Sequence, residues 1–420
     1  MTRAHPSEPL TSTGLAEVLL EAVRTQRFEE TLDSLQDNAP VGAHPSLDLA
    51  VAAFGPDGDT VFANVLFSRE HPAGLVAAIA PDAGPVSGVH FLADRLDAQG
   101  RSEAWLPGAD WHALAWRTLA GAPGMPRVVA PYPGSLIKLM VLVAVARQVD
   151  RGSCQWTRDW AWQGRSRPVG DWAFDMTVVS CNDATSALVS LLHATGALRR
   201  EADTEVLNDV HHLFESYGLG TLRLANTRAD GGWRNADGAG VGQLQMTAWD
   251  TVRLLWLLDR RAPPPPWLPA GTPPLLSTES RDFVLHCLSE QGLHESLSSS
   301  LLAQVPGWVA GIPAQVPARW IGADGSARLT PELAYPGDIR PWREHCDVRF
   351  SHKTGNTENY CSDAGIVEGV GRSRRHYLIA MLSNLGTRYA PDPHCATTWR
   401  VSAMAQAIDS WLRERLEVQA

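Results

Sequence analysis

Pro131-Tyr132-Pro133-Gly134-Ser135-Leu136-Ile137-Lys138-Leu139-Met140-Val141-Leu142-Val143-Ala144-Val145-Ala146 is the stretch on which the fold turns. Its prolines keep Pro131 to Gly134 extended or turning, because the residue before a proline is held out of the helical region. Apolar residues then run almost unbroken from Leu136 to Val149, which predicts a helix that stops before Gly152. A helix apolar nearly all round is a buried one. Inside that run stands a single lysine, Lys138, three residues after Ser135. One helical turn sets the hydroxyl and the amine on the same face. Burial penalises the ammonium form, and the positive end of a helix does likewise, so a neutral Lys138 able to take the Ser135 proton is chemically accessible. Taken alone, the pattern is equally that of a capping serine beside a snorkelling lysine.

Composition singles out the same residue. Of the 36 basic residues only two, Lys138 and Lys353, are lysines. Arginine can replace lysine wherever a solvated cation suffices, but not where an amine must lose its proton or act as a compact point charge. Lys353 opens Lys353-Thr354-Gly355 at the end of a predicted strand. There a cation, a hydroxyl and a residue without a side chain would let a substrate lie along the strand edge. Between the two lysines, Ser180-Cys181-Asn182 opens a second predicted helix, Asn182 to His193. Its hydroxyl can relay a proton and its amide can bind a carbonyl, although alone it is also a good helix cap.

Together the three groups, in this order and at helix start, helix start and strand end, form a constellation that resembles the serine β-lactamases and penicillin-binding proteins, especially class A β-lactamase-like chains. The similarity runs from about Pro131 to the end. It implies a Ser135 nucleophile, Lys138 as its base, Ser180 as proton relay and Lys353 as catalytic cation. Asn182, Thr354, Gly355 and Asn356 would hold the substrate, and the backbone N–H groups of Ser135 and Asn356 would form the oxyanion hole, usually a large catalytic contribution. The segment Ser362-Asp363-Ala364-Gly365-Ile366-Val367 matches the strand that follows the third motif.

The departures bear on turnover. Class A enzymes carry a Glu between the second and third motifs that activates the deacylating water, yet no Glu lies between Glu215 and Glu279. Glu205, in Thr-Glu-Val-Leu-Asn, is one residue short of the family's Glu-x-x-Leu-Asn, and Asp230 and Asp237 are the other carboxylates in reach of that role. The long interval from Ser180 to Lys353 points to an insertion near Pro263 to Asp347. No Arg follows Lys353 on the next strand to hold a substrate carboxylate.

Outside the motifs, the chain of 420 residues, 44% hydrophobic and 20% charged, can bury a large core. A formal charge of -10 and the absence of any basic run exclude nucleic acid and an anionic membrane as partners. The longest apolar run, Leu139 to Ala146, falls far short of the roughly 20 residues that span a bilayer. Glu17 and Glu21 interrupt the only candidate export signal, and six cysteines scattered without CxxC spacing fit reduced thiols, so a cytoplasmic location is expected. Neither His345-Cys346 nor His394-Cys395 has zinc-site spacing, so no metal or other cofactor is expected. Gly238 to Gly242 lacks the setting of a dinucleotide fingerprint, and no Gly-x-Ser-x-Gly elbow occurs.

Thr11 to Gln36 reads as an amphipathic helix, and Leu47 to Phe54 with Thr60 to Ser68 as a hairpin. A second hairpin is expected from Gly74 to Ala80 with Val86 to Leu92. Gln155 to Trp172 reads as irregular, and the prolines from Pro263 to Pro274 as a loop. Asp347 to His352, Ala364 to Glu368 and His376 to Ser383 read as successive antiparallel strands before a closing helix, Thr397 to Leu416. The fold class expected is α/β (α+β): an antiparallel sheet flanked by the terminal helices, plus a mostly helical subdomain carrying Ser135 and Ser180. Residues 131–420 form the β-lactamase-like domain, with residues 1–130 completing the sheet or forming a small appended domain. The function expected is a serine hydrolase or acyltransferase acting on a small amide or ester through a Ser135 acyl-enzyme, of the kind found in specialised metabolism. A β-lactamase or D-amino-acid peptidase, and a sensor that acylates and stalls, are the alternatives.

Overall fold

A computed structural model describes residues 9–56, 58–94, 104, 106, 109–202, 204–233 and 244–417. Asp237 and the glycine-rich segment 238–242 lie outside them. The centre is a six-stranded antiparallel sheet made of β1 (Leu47–Phe54), β2 (Thr60–Ser68), β3 (His71–Val76), β4 (Val348–Asn356), β5 (Cys361–Gly369) and β6 (His376–Ser383), in the order β4-β5-β6-β1-β2-β3. The first and last thirds of the chain thus meet where β6 pairs with β1, Ile379 opposite Val51.

Alternation along these strands feeds two cores. On β1, Ala50, Ala52 and Phe54 face one side while Leu47, Leu49, Val51 and Ala53 face the other; on β6, Leu378, Ala380 and Leu382 oppose Tyr377, Ile379 and Met381 in the same manner. Burial on both faces explains why these strands read as continuous apolar runs rather than as a polar-apolar alternation. The second face is covered by α1 (Ser12–Arg24) and the terminal helix Trp399–Glu417. The first is covered by the helical subdomain: α2 (Lys138–Asp150), α3 (Val169–Val178), α4 (Asn182–Ala194), α5 (Ala248–Leu258) and α6 (Thr278–Ser289). The fold is therefore α/β with an antiparallel sheet, as the sequence implies.

Several elements depart from the sequence reading. The first helix ends at Arg24 instead of Gln36; Arg27 has φ 51°, in the left-handed region, and the chain then enters a short strand, Leu32–Asp33, paired with Ala39–Pro40. The expected second hairpin survives as one bridge, Ala78 opposite Ser87, since β3 pairs with β2 and His90–Asp94 joins a separate three-stranded sheet with Trp116–Ala120 and Arg127–Val129. Within Gln155 to Trp172, Asp159–Trp162 and Arg165–Pro168 form a hairpin that delivers the chain into α3. Among the described residues, no helix is long and apolar enough to cross a membrane.

Candidate active site

Ser135 lies in a 3-10 turn, Gly134–Ile137, that runs straight into α2 at Lys138. From Pro131 to Met140 every residue is buried except Ser135, which is half-buried. The apolar run therefore sinks the turn into the core and leaves one hydroxyl at its surface. The turn is seated against the end of β4. Gly134 has φ +55°, and a Cβ there would stand 3.2 Å from the Asn356 nitrogen. A Cβ on Gly355 would come within 2.2 Å of Pro133 O and 2.6 Å of Leu136 N. Neither position can carry a side chain without moving the turn from the strand. Ser362, opposite Gly355 in the β4–β5 ladder, donates its hydroxyl to Pro133 O at 2.5 Å and closes the seat. The amides of Ser135 and Asn356 thereby come from adjoining backbones, the arrangement that a two-donor oxyanion site requires. The Asn356 Oδ1 is buried with no hydrogen-bond partner among the described residues.

Lys138 is 1% exposed. Its Nζ donates to Ser180 O at 2.6 Å, to Ser180 Oγ at 3.0 Å and to Asn182 Oδ1 at 2.8 Å. Trp233, which no motif of the sequence singles out, holds its ring centroid 5.6 Å from the same Nζ. Ser180 does not cap the helix that follows it. Cys181 occupies the cap of α4 with no side-chain cap bond, while Ser180 has φ 57°. A left-handed serine is a strained conformation. Here it turns both the carbonyl and the hydroxyl of one residue toward one amine.

Lys353 is fully buried, and by strand register it shares the face of Ala364, toward the helical subdomain. Its Nζ donates to Ser180 Oγ at 3.1 Å and to Thr354 O at 2.7 Å. Burial pushes its amine down to about 7, against the opposing pull of Asp363 and Glu295. Thr354 follows the alternation to the other face, opposite Asp363, and contributes its carbonyl to Lys353. Behind it Asp363 accepts from His352 Nδ1 at 2.7 Å and from Ser296 Oγ at 2.8 Å, with all three side chains buried. The structure thus joins Lys138, Ser180, Asn182 and Lys353 in one hydrogen-bonded cluster, with Ser135 on the turn before Lys138 and Gly355 and Asn356 packed against that turn.

Of the carboxylates weighed for deacylation, the two among the described residues are engaged elsewhere. Glu205 accepts from Asn208 Nδ2 at 3.1 Å and from the Asn226 N–H at 2.7 Å, and Asp230 is an exposed loop residue that accepts from the Gly232 N–H at 2.9 Å. Glu295, by contrast, interacts electrostatically with Lys353, and the sequence offers no spacing that would announce it.

No protein-family profile and no curated protein matches the sequence. Among solved structures the chain is similar to PBP-A, at 14% identity and a TM-score of 0.45 over 98% of each chain. It is also similar to a class A β-lactamase from Bacteroides cellulosilyticus, at 14% identity and 0.44 over 96% of this chain and 98% of that one. A third such structure is the TLA-1 extended-spectrum β-lactamase, at 11% identity and 0.47 over 97% of this chain and 100% of that one.

Proposed function

We propose that the protein is a serine acyl-enzyme hydrolase or acyltransferase that acts on an amide or ester. The observation that carries this reading is the meeting of both lysines of the chain on one hydroxyl, Ser180 Oγ, at 3.0 and 3.1 Å. Buried amines are costly, and a fold that buries both beside one strained serine keeps them for proton transfer rather than for stability. In its neutral form Lys138 donates to Ser180 O and Asn182 Oδ1 and takes the Ser135 proton as Ser135 Oγ attacks the carbonyl carbon. The oxyanion forms between the amides of Ser135 and Asn356. Ser180, polarised by Lys353, passes a proton to the leaving group and recovers one from Lys138. Asn356 Oδ1 offers an acceptor for a substrate N–H. Water or an acceptor alcohol or amine then takes the acyl group.

The experiment is intact-protein mass spectrometry after exposure to aryl esters, β-lactams and a fluorophosphonate. An adduct on Ser135 that is lost in Ser135→Ala supports the reading, and labelling that persists in that variant overturns it. The engagement of Glu205 and Asp230 favours slow release once the acyl-enzyme has formed. Removing a general base typically costs about 10²- to 10⁴-fold, so an adduct that outlives the acylation step by minutes is expected. Glu205→Gln and Asp230→Asn should change its decay by no more than a few-fold.

A further inference from the structure

Gln291 is fully buried, and both ends of its amide are committed to backbone. Its Nε2 donates to Thr177 O at 2.8 Å, and its Oε1 accepts from the Leu293 N–H at 3.0 Å. One residue on, the Gly292 N–H donates to Val178 O at 3.0 Å. Thr177 and Val178 are the last two residues of α3, and the terminal carbonyls of a helix find no partner within it. The strap of residues 291–293, just after α6, therefore closes the end of α3 from outside. Only Val179 separates that closed end from Ser180. On the far side of Ser180, the Cys181 N–H donates to Asp175 O at 3.1 Å. The backbone is thus pinned both before and after Ser180, whose φ is 57°.

The strap is itself held down by the chain that follows it. Trp320 Nε1 donates to Glu290 O at 2.9 Å, and the Arg319 guanidinium lies 4.7 Å from the ring centroid of Phe174 on α3. Leu293 joins a small core with Leu301, Leu302, Val305, Leu329 and Ile339, and Val179 packs against that same core. A left-handed serine persists only where its surroundings over-determine it. In that conformation Ser180 Oγ stands 3.0 Å from Lys138 Nζ and 3.1 Å from Lys353 Nζ. Releasing the end of α3 would let Ser180 relax and turn its hydroxyl away from both amines.

We infer that Gln291 is a positioning residue of this site: by closing the end of α3 it holds Ser180 in the left-handed conformation that aligns its hydroxyl for proton relay to the leaving group. The inference rests on the proposed Ser135 acyl-enzyme and its Ser180 relay.

Two esters of one acyl chain, with p-nitrophenol and with ethanol as leaving groups, test it on the full chain. p-Nitrophenolate departs as the anion, whereas ethoxide must be protonated as it leaves. The ratio of the two rates of Ser135 acylation, aryl over ethyl, therefore reads the relay and not the general state of the fold. Gln291→Leu removes both amide hydrogen bonds at similar volume and should raise the ratio by about tenfold or more. Added to Ser180→Ala, which removes the relay itself and should raise the ratio at least as far, it should move the ratio by less than about threefold. Trp320→Phe loses only the N–H to Glu290 O at a half-buried position and should raise the ratio in the same direction; it is the deciding variant where Gln291→Leu does not fold. A parental ratio in the deciding variant, whether both esters slow equally or neither does, overturns the inference alone, as does an equal rise in the Ser180→Ala background. A ratio unmoved in Ser180→Ala overturns the relay, and no Ser135 adduct with either ester overturns the nucleophile assignment; each takes this inference with it.

Discussion

Ser180 Oγ is the atom through which Lys138 and Lys353 communicate, and the chemistry expected of each lysine differs accordingly. Lys138→Arg keeps a positive charge but supplies no base at accessible pH, so acylation of Ser135 should fall by about 10²- to 10⁴-fold, read as the rate of adduct formation. Near-parental acylation would reduce Lys138 to an electrostatic support. Lys353 polarises Ser180 Oγ most strongly as an ammonium, because a charged donor makes the stronger hydrogen bond. Because burial brings its amine down to about 7, the charged donor is present below that pH and lost above it. Acylation of a neutral ester should thus show a falling limb as pH rises through about 7. In Lys353→Arg, whose guanidinium remains charged throughout, the limb should vanish even if the maximal rate drops. A limb that stays in place would assign it to another group.

The seat between the Ser135 turn and β4 couples two elements distant in sequence. Gly355 has no room for a methyl group, with Pro133 O, Ser362 Oγ and Leu136 N all inside 2.6 Å of where its Cβ would stand. Gly355→Ala should cost about 1–3 kcal/mol in a urea titration, the usual price of overpacking. It should also slow acylation by more than that loss of stability alone would, since the same shift separates the Asn356 amide from Ser135. Parental stability and acylation together would contradict this packing. The turn is legible in sequence because Pro-Gly before an apolar run is a local signal. The left-handed Ser180 is not: nothing local demands it, and the pull of Lys138 on both its oxygens compensates its strain.

Across the whole molecule, Asp48 ties the sheet to the helical subdomain. On β1 it accepts from Asn64 Nδ2 at 2.7 Å and from the Ala248 N–H, at the start of α5, at 2.8 Å. Burial pushes its carboxyl up to about 6, against those two hydrogen bonds. A carboxyl whose folded pKa exceeds its unfolded one binds its proton more tightly in the native state. Its contribution is complete below about pH 4 and is lost as pH rises through about 6. Relative to Asp48→Asn, the parent should therefore lose stability between pH 4 and pH 7 in urea midpoints measured across that range. A difference independent of pH would mean that Asp48 does not titrate with unfolding.

What the sequence by itself determined was set by local chemistry. An apolar run with one amine must be a buried helix that carries a buried lysine, the short apolar run from His376 to Ser383 reads as a strand, and lysines kept among arginines single out two candidate amines. These features fixed Ser135, Lys138, Ser180 and Lys353 as candidates because each is announced by its immediate neighbours. Only the tertiary structure decided the rest. It stopped the first helix at Arg24, where a left-handed Arg27 turns the chain aside, and gave Ser180 a conformation that no neighbour requires. It also brought Trp233 over Lys138, and Tyr335 to Glu295, whose charge raises the Lys353 amine. Those residues lie far along the chain from the amines they act on, with no periodicity or spacing linking them. Their electrostatic effect exists only once two cores have closed the sheet and removed the water that would otherwise screen it.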